Sequence, residues 1–465
     1  MRKLGLLLLL WAGIFRLYGQ DITVRLDSLV SSSALLQTSE VGISVFNLTQ
    51  GKPVYAYQDR KLYRPASVEK VITSVTALAR LGESYTFDTR LAYTGTIGQD
   101  SVLHGDLMLI GGFDPEFMEE DLDELADAVL RAGIRSIEGK LVADVSVMDS
   151  VYWGSGWAWD DAQYSFQPYL SPLMLNRGCV SVSVKPAQRG HRPEVEVTPE
   201  SDYYVIDNRA VSHIPHCGRL RIERDWMHNE NAIHITGNAN RACGQLLSMF
   251  SSQDFFVHTF AYKLRQKRVG LDSLAYGICP EEATYIYKVS RPLEAVLKRA
   301  LKKSDNLCAE ALFYHLAIGG SERKGIGAED AQKAVKRFMR HQIKKEPDDY
   351  SIVDGSGVSM YNYISPDLLV EYLKYAYAHK EVFEPFYAAL PIAGVDGTLR
   401  YRMRKSNAFR NVHAKTGTVK GVSSLAGYVR SAKGDLLAFA IINQNILSGR
   451  KARLFQDKIC EILAQ

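Results

Sequence analysis

Ser67 and Lys70 stand three residues apart in the stretch Arg64-Pro-Ala-Ser-Val-Glu-Lys70. A hydroxyl and an amine at that spacing share one face of a helix. Such a pair can serve as a nucleophile with its own base, provided that burial or a neighbouring cation lowers the pKa of the amine. Alone the spacing is a weak signal: Ser321 with Lys324 and Ser448 with Lys451 repeat it, and a helical lysine is ordinarily solvated. What sets Ser67 apart is its company in chain order. Ser304-Asp305-Asn306 is the one Ser-x-Asn of the chain, and Lys415-Thr416-Gly417 its one Lys-Thr-Gly. Together the three motifs have the make-up of an acyl-transfer site.

Each residue type fits a step of that chemistry. Lys70, desolvated by apolar neighbours and crowded by Lys415, is the candidate general base. Ser67, in the first turn of its helix, gains from the positive end of the helix dipole as negative charge develops. Ser304 can relay a proton between Lys70, Lys415 and a leaving amine, and the Asn306 amide can both donate to a substrate carbonyl and accept from Lys70. Lys415 and Thr416, on an edge strand, suit a substrate carboxylate, and Gly417 leaves that strand open for an extended peptide. The backbone N–H groups of Ser67 and Thr418 are the natural oxyanion donors, each worth on the order of 3 kcal/mol. Taken singly, Ser304 could instead cap the helix that opens with Asp305, and the Lys-Thr-Gly stretch could be a strand running into a turn.

The elements that must hold these residues are legible in outline. "VGISVFNLTQGKPVYAYQD" alternates about a turn and predicts a β-hairpin. A helix is predicted from Ser67 to a Gly82 cap, with Val71, Ile72, Val75, Leu78 and Ala79 on its inner face. From about Tyr85 to Pro280 short strand-like runs and turns surround one amphipathic helix near Asp121 to Ala132. Helices are predicted again from about Tyr285, and the end of the chain reads as two antiparallel strands and a closing helix. A strand pair and helix at each end, with β-rich chain between, predicts one α/β domain interrupted by a long insertion.

At 465 residues, with 46% hydrophobic and 23% charged residues and a net charge of +4, the chain has an ordinary globular balance that gives no reason to expect a nucleic-acid partner. Met1-Arg2-Lys3 followed by the apolar run Leu4 to Phe15 reads as a signal peptide over residues 1–20, which implies an exported, periplasmic protein. No later segment nears the roughly 18 apolar residues of a membrane span. Among six cysteines, Cys217 and Cys243 are the favoured disulfide pair, and Cys308 reads as a buried free thiol. The His213 and His216 pair beside Cys217 lacks metal-ligand spacing, so no metal is expected.

The blocks "LYRPASVEKVITSVTALARLG", "LHGDLMLIGGFDP", "GSGWAWDD", "KKSDNLCAEAL", "VDGSGVSMYNYISP" and "HAKTGTVKGVSSLAGYV" resemble, in order, those of the penicillin-binding D-alanyl-D-alanine carboxypeptidases and endopeptidases of peptidase family S13. The resemblance implies a β-lactamase-like transpeptidase domain, an antiparallel sheet flanked by helices, at residues 21–86 and 285–465. It implies two β-rich domains nested in the insertion, one at 87–95 and 148–284 and one at 96–147. It further implies attack by Ser67 on a D-Ala-D-Ala carbonyl of a peptidoglycan stem peptide, hydrolysis of the acyl enzyme without cofactor, cleavage of D-alanyl cross-links, and acylation by β-lactams. One departure falls at Met360, where the family commonly has an arginine that holds the charged end of a stem side chain. Asp160 or Asp161 of "GWAWDD" can still meet the ammonium group of that end, or serve the fold alone.

Two rivals use the same residues. A β-lactamase or D-amino-acid amide or ester hydrolase would share the serine, but the long insertion and Ser-Asp-Asn disfavour it. A non-catalytic peptidoglycan-binding or β-lactam-sensing module would keep the acylation machinery fused to a signalling segment.

Overall fold

The computed structural model describes residues 22–319 and 324–465; the predicted signal peptide at 1–20 and Ser321 lie outside the described residues. Both ends of this span contribute to one antiparallel sheet. Strands β1 (Glu40–Asn47) and β2 (Lys52–Tyr57) form the predicted hairpin. They are joined by β3 (His413–Val419), β4 (Val422–Arg430) and β5 (Leu436–Gln444) in the order β3-β4-β5-β1-β2. The seam between the halves is β1 against β5, in register from Glu40 opposite Gln444 to Asn47 opposite Leu437.

The structure has three strands where the sequence predicts two. Strands β4 and β5 are buried along almost their whole length, so they read as apolar runs without alternation. The turn that separates β3 from β4 rests on Lys420 and Gly421 alone, with Gly421 at φ 83°.

One face of the sheet is covered by the helices Ile22–Ser31 and Gly449–Leu463, where Leu26, Phe455 and Ile459 join Ile43, Leu425 and Ile441 in a core. The other face carries a larger core built on α1 (Glu69–Leu81) and its neighbours. Helix α1 ends at Gly82, φ 81°, as its sequence predicts. Its start differs from the prediction: Ala66–Val68 is a 3₁₀ turn that runs into the helix, so Ser67 precedes the α-helical turns proper.

The stretch from Tyr285 also departs from its predicted helix. Residues Thr284–Pro292 form a strand, because Thr284, Tyr285, Ile286, Tyr287 and Val289 are β-branched or aromatic residues that favour extended chain, and the segment pairs antiparallel with residues 86–93. The helical run that follows is two helices, α2 (Leu293–Lys302) and α3 (Asn306–Ile318), broken at Ser304 with φ 58°. Ten consecutive residues of α3 are buried, the pattern of a central helix.

Within the insertion, one five-stranded sheet takes 274–276, 141–144, 107–110, 86–93 and 284–292 in that spatial order. Smaller sheets take 179–185 with 194–198 and 243–248, and 205–208 with 221–224 and 232–236. All six cysteines are free. The favoured Cys217–Cys243 bridge is absent because Cys217 closes an exposed 3₁₀ turn, whereas Cys243 opens a strand paired to Val184. Cys308 is a buried thiol. Among the described residues, no helix is long and apolar enough to cross a membrane.

Candidate active site

Ser67 sits in the 3₁₀ turn, where positions i and i+3 eclipse one another more closely than in an α-helix. Lys70 Nζ lies 3.0 Å from Ser67 Oγ. The preceding residue, Ala66, has φ 51°, a left-handed conformation that costs an L-residue about 1 kcal/mol and is held by the surroundings. Lys70 is fully buried rather than solvated. Its amine also reaches Asn306 Oδ1 at 2.8 Å and the Ser356 carbonyl at 2.7 Å. Burial lowers its pKa to about 8, against the pull of Asp354, Glu310 and Asp305, which leaves about a tenth of the amine neutral at pH 7.

The loop that supplies the Ser356 carbonyl is itself held from below. Glu310 on α3 accepts from the amides of Gly355 and Ser356 at 3.2 and 2.9 Å. Asp354 accepts from the amides of Gly357 and Ser359, from Asn362 Nδ2, and from Trp157 Nε1 at 2.9 Å. Trp157 thus ties the insertion to the loop. Thr73 on α1 donates to the Gly355 carbonyl at 2.7 Å. Glu69 is buried beside this group with no hydrogen bond to either carboxylate oxygen; burial and Asp354 push it well above the ordinary carboxylate range.

Asp305, not Ser304, is the N-cap of α3: its Oδ1 accepts from the Cys308 amide at 3.0 Å. Ser304 is thereby free for other work, and Lys415 Nζ donates to its Oγ at 2.7 Å. Burial works against the Asp305 carboxylate, yet Arg177 and Arg299 hold it below the usual range. Arg177 pairs with Asp305 and, at 2.7 Å, with Glu116, while Arg299 reaches both carboxylates. This cluster fastens the insertion to the start of α3. Lys415 is buried on β3, and burial followed by the nearby Lys70 lowers its pKa well below the usual lysine value. Its amine also donates to the Thr416 carbonyl at 2.6 Å, and Thr416 Oγ1 donates to Thr398 Oγ1 at 2.7 Å.

Strand β3 is the outer strand of the sheet and does not stop at Gly417. A side chain at Gly417 would place its Cβ 2.1 Å from Ser424 Oγ, 2.9 Å from the Pro65 carbonyl and 3.0 Å from the Ser67 amide. The glycine therefore permits close approach of the strand to the serine turn, a reason beyond the open edge that its sequence position implies. Ser424 Oγ donates to the Pro65 carbonyl at 2.6 Å and locks the same junction.

A cleft of about 640 Å³ opens over Ser67, within the range of small-ligand sites. Asn306, Thr418, Asp160, Asp161 and Met360 line it, so the residues of all three motifs and both insertion candidates converge on one place. Met360 is 52% exposed and makes a rim. Four contributors escaped sequence reasoning. Arg64 and Lys420 bring two cations to the cleft, Phe166 lines it and accepts from Asn306 Nδ2 through its carbonyl at 2.8 Å, and the Ser356 carbonyl anchors Lys70. Arg64 and Lys420 flank recognised motifs and were within reach of sequence; the carbonyls leave no side-chain signal. Of the two other Ser-x-x-Lys matches, Ser448 caps the closing helix by accepting from the Lys451 amide, and Ser321 is outside the described residues.

Residues 22–465 match the model of the D-Ala-D-Ala carboxypeptidase 3 (S13) family. The chain is 30% identical to a D-alanyl-D-alanine carboxypeptidase of Actinomadura, over 96% of this chain and 85% of that one. It is 28% identical to D-alanyl-D-alanine carboxypeptidase DacB of Haemophilus influenzae, over 87% and 85% of the two chains. The crystal structure of penicillin binding protein 4 (dacB) from H. influenzae superposes with a TM-score of 0.81 at 26% identity, covering 93% of this chain and 97% of that one.

Proposed function

The chain belongs to the D-Ala-D-Ala carboxypeptidase 3 (S13) family, and on that premise we propose that it is a serine-type D-alanyl-D-alanine carboxypeptidase whose acyl enzyme forms on Ser67. The observation that carries the assignment is the Lys70 amine, buried with a lowered pKa and held at once by Ser67 Oγ, Asn306 Oδ1 and the Ser356 carbonyl.

Neutral Lys70 takes the Ser67 proton as Oγ attacks the carbonyl of the penultimate D-alanine. The Ser67 and Thr418 amides stabilise the oxyanion. Ser304, bonded to Lys415, passes a proton to the departing D-alanine amine, and water then hydrolyses the ester. The C-terminal carboxylate of the substrate binds at Lys415 and Thr416, and its charge draws Lys415 back toward the protonated form. Penicillins present an amide and a carboxylate in the same arrangement and acylate the same serine, in keeping with the penicillin-binding name of the H. influenzae relative.

Cross-link cleavage belongs to the same reading, since an open cleft with Asp160 and Asp161 on one wall can admit a stem side chain that ends in an ammonium group or in the next peptide. With Met360 at the rim, Arg64 and Lys420 are the cations that remain for a carboxylate on that side chain. The basic and then apolar start of the chain supports export to the periplasm, where this substrate lies.

The deciding experiment incubates the protein with a penicillin and reads intact mass and peptide map. A stable adduct on Ser67, lost in Ser67→Ala, is expected, with D-alanine release from stem peptides abolished in the same variant. An adduct elsewhere, or none in folded protein, would overturn the assignment, and fast penicillin turnover would make the chain a β-lactamase.

A further inference from the structure

A second cleft, of about 750 Å³, lies in the insertion. It runs between two sheet edges. On one side is the strand Arg221–Arg224, an outer strand of its sheet; on the other is Cys243–Ser248, an outer strand of another. Arg219, Arg221 and Arg241 line the cleft with one carboxylate, Glu223. All three arginines are exposed, and among the described residues none is engaged in an ion pair.

The two clefts share a wall. Segment 158–167 gives Ala158, Asp160, Asp161 and Phe166 to the serine cleft and Gln163 and Tyr164 to the second one. The Tyr164 and Phe166 rings stack at 5.6 Å, both a little under half exposed. Tyr164 pairs with Leu247, and the Gln163 carbonyl accepts from the Ser248 amide, so the segment covers only one end of that strand edge.

An outer strand offers main-chain donors and acceptors to an added extended chain, and guanidinium groups match carboxylates in a bidentate fork. The fitting ligand is an extended peptide that bears carboxylates. We propose that this cleft binds an anionic stem peptide belonging to the same peptidoglycan molecule whose scissile bond lies at Ser67, and so favours cross-linked polymer over short free peptides. The proposal rests on the peptidoglycan reading of the serine cleft, and the shared wall is what links the two.

The test uses the full chain carrying Ser67→Ala, so that binding is read without cleavage, and sediments it with insoluble peptidoglycan. Adding Arg219→Gln, Arg221→Gln and Arg241→Gln is expected to weaken sedimentation about tenfold, the sum of three exposed charge contacts. The difference shrinks in high salt. In the chain with Ser67 intact, the same three changes raise KM for cross-linked muropeptides by a similar factor and leave kcat much less affected. Circular dichroism verifies the fold, and Arg241→Gln alone, on a loop, stands in if the triple variant misfolds. Equal sedimentation with and without the arginines overturns the proposal. So does displacement by polyglutamate or DNA as effective as that by soluble muropeptides, since the cleft would then be an unspecific anion surface. Failure of the serine reading shows separately, as absence of a penicillin adduct at Ser67 in a protein that still sediments through its arginines.

Discussion

At Lys70 two demands meet: the amine must be buried enough to lose its proton, yet held firmly enough to face Ser67. Three acceptors within 3.0 Å meet the second demand, and a pKa near 8 meets the first. The rate of penicillin acylation should therefore rise about tenfold from pH 6 to pH 7 and level off above about pH 8, since only the neutral amine can accept the serine proton. A stopped-flow acylation profile that is flat over that interval would exclude Lys70 as the base. Glu69 makes the opposite case, a carboxyl that burial pushes well above the ordinary carboxylate range. Its folded pKa lies above the unfolded value of 4.5, so below pH 4.5 it costs the fold nothing extra, and the cost grows as pH rises and the unfolded chain releases the proton. Glu69→Gln removes that titration. Thermal midpoints of the two proteins should lie close at pH 4.5 and diverge in favour of the variant toward pH 9.

Two elements, the 3₁₀ turn of Ser67 and the edge strand β3, have to press together for the site to exist. Gly417→Ala sets a Cβ against Ser424, Pro65 and the Ser67 amide, forcing the strand outward. A displacement of that size should cut acylation about a hundredfold, while the fold, checked by circular dichroism, persists. Wild-type rates in the alanine variant would show that the contact yields without cost. At this scale the sequence was a good guide to what is local and a poor one to what is not. The hairpin, helix α1 with its Gly82 cap, and the order of the three motifs were legible because each is written in neighbouring residues. The split of β3 from β4 was hidden, because one Lys-Gly pair makes the turn inside a run of strand-formers. Ser304 was ambiguous for another reason: Asp305 beside it is an equally good cap and takes that place, while the partner of the Ser304 hydroxyl, Lys415, lies far along the chain. The Ser356 carbonyl and its Glu310 support could not be read at all, since main-chain acceptors carry no residue signature.

For the whole molecule the decisive junction is the cluster of Arg177, Arg299, Glu116 and Asp305, where the insertion grips the start of α3. Arg177→Met leaves two carboxylates without their principal partner and should cost about 3 kcal/mol, read as an earlier urea midpoint. Because Asp305 is held below its unfolded pKa of 3.8, the stabilisation it brings is present above that value and fades as pH falls through the folded one. Wild type and variant should therefore converge in acid. Penicillin acylation should fall as well, through the position of Ser304, and an unaltered rate would confine the cluster to a structural role.

The seam of the catalytic sheet, Glu40 opposite Gln444, also imposes an order in time. A ribosome makes Ser67 and Lys70 early and Lys415 near the end, and strand β1 has no β5 to pair with until then. Contacts so distant in sequence form late and slowly. The acyl-transfer site is thus incomplete while the chain is being made, and it can assemble only when the last strands have been delivered.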